Sequence, residues 1–391
     1  MPYKHLNTNL YKVIGERKKD HLDLATTSQI GAHQQDQRFY YNPLTAYHPS
    51  LQNWNKFFPN HKNFPFWISS MTGGTDKALT INTKLQELAK KFGLGMGLGS
   101  LRPLWEQFLE TGNDVKNHPL WSQFFFSKQK NRPLLLGNIG IGQLEEIEKK
   151  KQFQAFLDFL CLLQLDGLFV HLNPLQEWAQ GPEGNKLSRP IEETLLKVFE
   201  SFSRFEHTYS GKFLSQGIFL KEVGQGICEE GIRSMALWAN RYSCFKGMEM
   251  AALGGTNFTQ LELARRQNQQ QQQEGREIFH SGAIIHSGLP FIGHSKKEML
   301  QALANTLFPP SFTFIISGGI SGPLEAYYYL ESSHFLQERE HPIFLGMARY
   351  FLSLSALPMA EMISHFQDFL ESLLFFKTCL SLRVETEKSR V

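Results

Sequence analysis

The heptapeptide His171-Leu172-Asn173-Pro174-Leu175-Gln176-Glu177 follows directly on the apolar run Asp166-Gly167-Leu168-Phe169-Val170. A strand that ends this way delivers an imidazole, two amides and a carboxylate to one sheet edge. A helix cap or a turn consumes one or two such groups. Four together fit a site that orients a polar ligand, because polar groups seldom cluster without a partner.

Something must position these groups, and eight short β-prone runs supply it. They cover residues 66–69, 94–98, 134–138, 167–172, 217–221, 247–252, 312–316 and 342–346. Helical patterns are expected at 80–92, 144–163, 190–205, 231–242, 296–307 and 356–377. Strands alternating with helices predict a parallel sheet, and eight units fit a (β/α)8 TIM barrel. The second run is the least strand-like, since Gly95 and Gly97 favour no extended conformation.

Each run is followed at once by glycine or small polar residues. In chain order these are Ser70-Met71-Thr72-Gly73-Gly74, Gly99-Ser100-Leu101-Arg102, Gly137-Asn138-Ile139-Gly140, the heptapeptide, Lys221-Glu222-Val223-Gly224, Gly254-Gly255-Thr256-Asn257, Ser317-Gly318-Gly319-Ile320 and Gly346-Met347-Ala348-Arg349. A barrel gathers all of them on its C-terminal face, where barrel enzymes carry their active sites. The last two suit phosphate, which barrels often bind in the loops after strands seven and eight. A dinucleotide fold is excluded: 93–99 lacks GxGxxG spacing, and no GxxxxGK[ST] occurs.

The chain has 391 residues, 41% of them hydrophobic and 20% charged, as in an ordinary globular protein. A net charge of +3 gives no reason to expect a nucleic-acid or membrane partner. No apolar run reaches about 18 residues, and the N-terminus lacks the apolar core of a secretory signal. Cys161, Cys228, Cys244 and Cys379 form no CxxC pair and read as buried thiols of a reducing cytoplasm. The 33 phenylalanines read as core.

Residues 1–64 are expected to form an N-terminal extension over one end of a barrel spanning 65–391. The polar tract 266–276 reads as a mobile loop, part of a mobile segment around 264–290. Residues 331–341 read as an enlarged loop. Arg17-Lys18-Lys19-Asp20-His21 is a cationic cluster that could pair a diphosphate beside Arg102 if it reaches the rim.

These motifs, in this order over about residues 15–350, resemble the type 2 isopentenyl-diphosphate isomerases. Those are flavin-dependent enzymes that interconvert isopentenyl and dimethylallyl diphosphate. The resemblance implies FMN, Mg2+ and NADPH as cofactors and a tetrameric or octameric homo-oligomer. It implies that Met71, Thr72, Gly73, Ser100, Asn138, Lys221 and Thr256 line the flavin site, with Gly318, Gly319, Gly346, Met347 and Ala348 at its phosphate end. Arg17, Lys18, His21, Ser100, Arg102, His171, Asn173 and Gln176 would contact the isoprenoid diphosphate. Glu177 would ligate magnesium, and His171, Gln176 and Lys221 would take part in catalysis.

Some positions depart from the family pattern. Leu101 stands for a usual Gln, Asn257-Phe258 for Ser-Trp, Phe291 for a Thr and Ser321 for an Arg. Glu262 and His286 read as structural. The competing reading is an FMN-dependent oxidase or dehydrogenase of a small 2-hydroxy acid. It needs an arginine pair late in the barrel, where only Arg349 is suitably placed. A flavoprotein that only binds would have no use for Gln176 and Glu177.

Overall fold

The computed structural model describes residues 17–61, 63–70, 76–117, 121, 132–208, 214–273 and 288–383. Its contacts divide the chain into a smaller unit, Met1–Pro43 with Leu380–Val391, and a larger one, Leu44–Cys379. In the smaller unit the strands Phe39–Tyr41 and Leu380–Leu382 pair antiparallel, and residues 17–24 are helical.

The larger unit is the expected (β/α)8 barrel. Its strands are β1 (Phe66–Ile68), β2 (Gly95–Ser100), β3 (Leu134–Gly140), β4 (Gly167–Leu172), β5 (Gly217–Glu222), β6 (Phe245–Glu249), β7 (Thr313–Ser317) and β8 (Ile343–Met347). Neighbours in sequence pair in parallel, and β1 closes on β8 with Trp67 opposite Gly346. All eight strand runs read from the sequence are strands.

Trp67, Leu136, Phe169, Phe219 and Ile315 form a buried cluster inside the barrel. The rings of Trp67 and Phe169 meet edge to face at 5.9 Å, and Phe169 meets Phe219 at 5.7 Å. This cluster explains the glycine-rich β2. A Cβ on Gly95 would lie within the Trp67 indole, and one on Gly97 would press on the Phe169 ring at 3.0 Å. Strand propensity yields here to the space the indole needs.

Four expectations differ in detail. The helix expected over 144–163 is two, Ile141–Lys149 and Phe153–Leu163, parted where Lys151 takes a φ of 54°. The polar tract is helical as far as Gln273, within the helix Phe258–Gln273. Glutamine and arginine are good helix formers, and the turns before them provide the nucleus. The stretch read as a loop over 331–341 carries the short helix His334–Glu338. Of the cysteines, Cys244 and Cys379 are buried, but Cys161 is half-buried and Cys228 exposed. Cys228 begins a surface helix, where its Sγ accepts from the Gly231 N–H at 3.4 Å. Among the described residues no helix is long and apolar enough to cross a membrane.

Candidate active site

Side chains two apart on a strand share a face. Each member of the barrel cluster therefore has a polar residue directly above it: Ser69 over Trp67, Asn138 over Leu136, His171 over Phe169, Lys221 over Phe219 and Ser317 over Ile315. These polar residues line two cavities at the C-terminal mouth, of about 320 and 230 Å³. Lys221, Ser70, Val223 and Phe258 line both.

The larger cavity takes in Lys221, Thr256, Gly318, Gly319, Gly346 and Ala348 from the expected cofactor set. The smaller takes in Ser100, Arg102, Asn138, His171, Asn173, Gln176 and Glu177. Met347 is buried and lines neither. Met71, Thr72, Gly73 and His286 lie outside the described residues. Arg17, Lys18 and His21 are exposed on the helical stretch of the smaller unit.

Strand register brings the ionisable groups together. His171 pairs with Lys221, and Lys221 with Glu249. The Lys221 ammonium lies 3.1 Å from the Glu249 carboxylate, whose other oxygen accepts from the Ser69 hydroxyl at 2.6 Å. All three residues are buried. Sequence reasoning missed Glu249 and Ser69; the available signal was an acid inside the apolar run 247–252.

His171 Nδ1 meets Asn138 Oδ1 at 2.9 Å. With an amide oxygen as its partner, Nδ1 carries the proton and Nε2 keeps its lone pair. Burial, with the Lys221 ammonium behind it, pushes the His171 pKa down to about 3, so the ring is neutral.

Glu177 lies in the first turn of the short helix Pro174–Gln180 and is buried. Its carboxylate accepts from the Asn185 N–H at 2.6 Å and from Asn173 Nδ2 at 3.0 Å. The same Asn173 amide donates to Gln176 Oε1 at 3.2 Å, which leaves the Gln176 amino group facing Glu262. Glu262 also accepts from Gln180 at 3.1 Å and pairs with Arg265 at 2.8 Å. Arg102 is turned toward its own helix, its Nε on Glu106 at 2.8 Å. That carboxylate raises the Arg102 pKa, so the guanidinium stays charged. Glu222 folds the loop after β5, accepting from the N–H groups of Gly224, Gln225 and Gly226.

The buried polar atoms without a hydrogen-bond partner among the described residues include Ser70 Oγ, whose residue lines both cavities, and Asn173 Oδ1, whose residue lines the smaller. A buried polar atom left unpaired costs about 1–3 kcal/mol.

No protein-family model matches the chain. It is similar to curated proteins called isopentenyl-diphosphate delta-isomerase. The one from Rickettsia typhi is 28% identical over 317 residues, 79% of each chain. That from Rickettsia prowazekii is 29% identical over the same length. That from Rickettsia africae is 30% identical over 291 residues, 73% of this chain and 75% of its own. With identity at this level over nearly three quarters of its length, the chain belongs to the isopentenyl-diphosphate delta-isomerase family.

Proposed function

We propose that the chain interconverts isopentenyl and dimethylallyl diphosphate as a type 2, FMN-dependent isomerase that requires Mg2+ and NADPH. The observation that carries this reading is the junction of two cavities at Lys221. One suits a flavin and the other an anionic substrate, so the lysine borders both. The same reading makes the protein a cytoplasmic homo-oligomer, tetramer or octamer, of isoprenoid biosynthesis.

The residues fit FMN. The larger cavity falls within the size range of small-molecule sites. Backbone closes around its glycine loops: a Cβ on Gly255 would meet Gly319 N at 2.6 Å. The unpaired Ser70 hydroxyl faces the same space. Thr256, Gly318, Gly319, Gly346 and Ala348 would hold the cofactor, with Ser100 and Asn138 beyond the shared wall. Met71, Thr72, Gly73 and Met347 complete the set that the family resemblance implies.

Glu177 fits Mg2+ as a single-carboxylate site. Among the described residues no group of three acidic, histidine or cysteine side chains could enclose a metal. Mg2+ commonly needs only one or two carboxylates when phosphate oxygens and water complete the shell. The amides of Asn173 and Asn185 orient the carboxylate, as outer hydrogen bonds do for metal ligands.

Isomerisation adds a proton at the terminal alkene carbon and removes one from C2. Alkenes are very weak bases, and reduced FMN, when bound, supplies the acid and base that the reaction needs. NADPH would only reduce the flavin, since the substrate undergoes no net oxidation. Lys221 offers a fixed positive charge, held in place by Glu249, to an anionic reduced ring. Asn173 and Gln176 orient the substrate without ionising. His171, neutral beforehand, takes a proton more readily once a diphosphate lies beside it, because a neighbouring anion raises its pKa. Arg102 would meet the diphosphate, and the family resemblance implies the same contact for Arg17, Lys18 and His21.

The decisive experiment asks whether the purified protein is yellow, bleaches with NADPH, and forms dimethylallyl diphosphate from isopentenyl diphosphate with Mg2+ present. A flavin that binds and reduces without product would favour the 2-hydroxy-acid reading. Against that alternative, Arg349 is the single arginine lining the larger cavity among the described residues.

A further inference from the structure

The charges around the larger cavity are offset, with one exception. At its inner end the Lys221 ammonium faces Glu249. Behind the loop after β7, Lys296 is buried, donates to the Gly318 carbonyl, and lies 4.9 Å from the Tyr329 ring centre. The Glu325 carboxylate acts on that lysine, and its Oε2 lies 3.4 Å from the Ser321 N. Arg349 lines the same cavity and is exposed. Among the described residues it has neither an ion pair nor a side-chain hydrogen bond.

Backbone donors converge on the same end. Gly318 and Gly319 hold φ values of 110° and 74°, a conformation that side-chain-bearing residues rarely adopt. The N–H groups of Gly319 and Ile320 find no acceptor among the described residues. Unspent backbone donors in a glycine turn make an anion nest. The residue that follows them, Ser321, lines the same cavity and carries no charge. Ser317 of β7 pairs with Gly346 of β8, so Ser321 and Arg349 leave adjacent strands toward one cavity.

We propose that Arg349 is the cation that grips the phosphate end of the bound flavin, supplying from the eighth strand a charge that Ser321, on the neighbouring loop of the same cavity, does not. Lys296, fixed to the Gly318 carbonyl, is a positioning residue that holds the glycine turn and balances Glu325. A guanidinium meets phosphate oxygens through two parallel N–H groups, which gives Arg349 both charge and geometry for a terminal phosphate. The consequence is selectivity: the cavity distinguishes FMN from riboflavin through one side chain. This rests on the FMN reading above.

The test uses the full-length chain freed of flavin and titrated with FMN or riboflavin, read by quenching of flavin fluorescence. The parent is expected to bind FMN at least about tenfold more tightly than riboflavin. Arg349→Ala is expected to lose roughly ten- to a hundredfold in FMN affinity with riboflavin affinity unchanged. Adding Ser321→Arg to Arg349→Ala should restore FMN binding; failure to do so would overturn the exchange between the two positions. An Arg349→Ala protein that binds FMN like the parent overturns the inference and leaves the cofactor reading standing. Equal loss of both flavins overturns it too, because the side chain would then support the cavity rather than the phosphate. A parent that takes up neither flavin overturns the cofactor reading itself.

Discussion

Lys221 and Glu249 stand opposite one another on neighbouring strands, and their charges meet at 3.1 Å in the buried mouth of the barrel. Removing one partner of such a pair strands the other charge away from water. Glu249→Gln is therefore expected to lower unfolding stability by about 3–5 kcal/mol. Glu249→Gln with Lys221→Met should recover part of that loss. Urea denaturation of the parent and the two variants measures both, and a single variant as stable as the parent would refute the pairing.

On the proposed reading, the same lysine tunes the cofactor. Lys221→Ala should make the bound flavin harder to reduce, by on the order of 30 mV or more, since that step is worth about 1.4 kcal/mol for two electrons. Spectroelectrochemistry reads the potential directly. An unchanged value would remove Lys221 from its assigned role.

Glu177→Gln keeps the shape of the side chain and its place beside Asn173 and Asn185, but removes the charge. It should raise the Mg2+ concentration for half-maximal activity by roughly tenfold or more, by analogy with the loss of groups around metal ligands. Flavin content should not change. Activity equal to the parent at every Mg2+ concentration would exclude Glu177 as the ligand.

Two histidines predict acid sensitivity. Burial pushes His171 down to about 3 and His61, also facing His334, down to about 4, from an ordinary value of 6.5. Below 6.5 the unfolded chain binds protons that the folded one refuses, so stability falls as pH drops from about 6.5 toward 4. At neutral pH neither group contributes. His61→Asn should flatten this slope by roughly 1–3 kcal/mol across the window, as read from urea midpoints at pH 7 and pH 4.5. Parallel pH profiles for variant and parent would contradict it.

In β2, a methyl group on Gly95 would occupy the Trp67 indole's space. Gly95→Ala should cost about 1–3 kcal/mol or more through overpacking, and Trp67→Phe in the same chain should relieve some of it. Additive losses in the double variant would show that the two positions do not compete for space.

The barrel was legible because its parts repeat: an apolar run followed by a glycine or polar rim, eight times over. The rim residues carried the site for the same reason, since every strand end faces one mouth. Glu249 was hidden because it belongs to a strand interior by pattern and joins the site only through its register with Lys221. Register is set by long-range pairing, which no local run of residues encodes. The polar tract misled for a different reason. Its composition matches a loop, but glutamines extend a helix that has already started at Phe258. Glu262, read from the sequence as structural, accepts from Gln176 and Gln180, contacts that no local pattern signals.

The layer formed by Trp67, Leu136, Phe169, Phe219 and Ile315 makes the mouth a blind alley. The floor beneath both cavities is hydrocarbon. A ligand seated there finds its polar partners in the residues one step above that layer, and none in the five apolar side chains below.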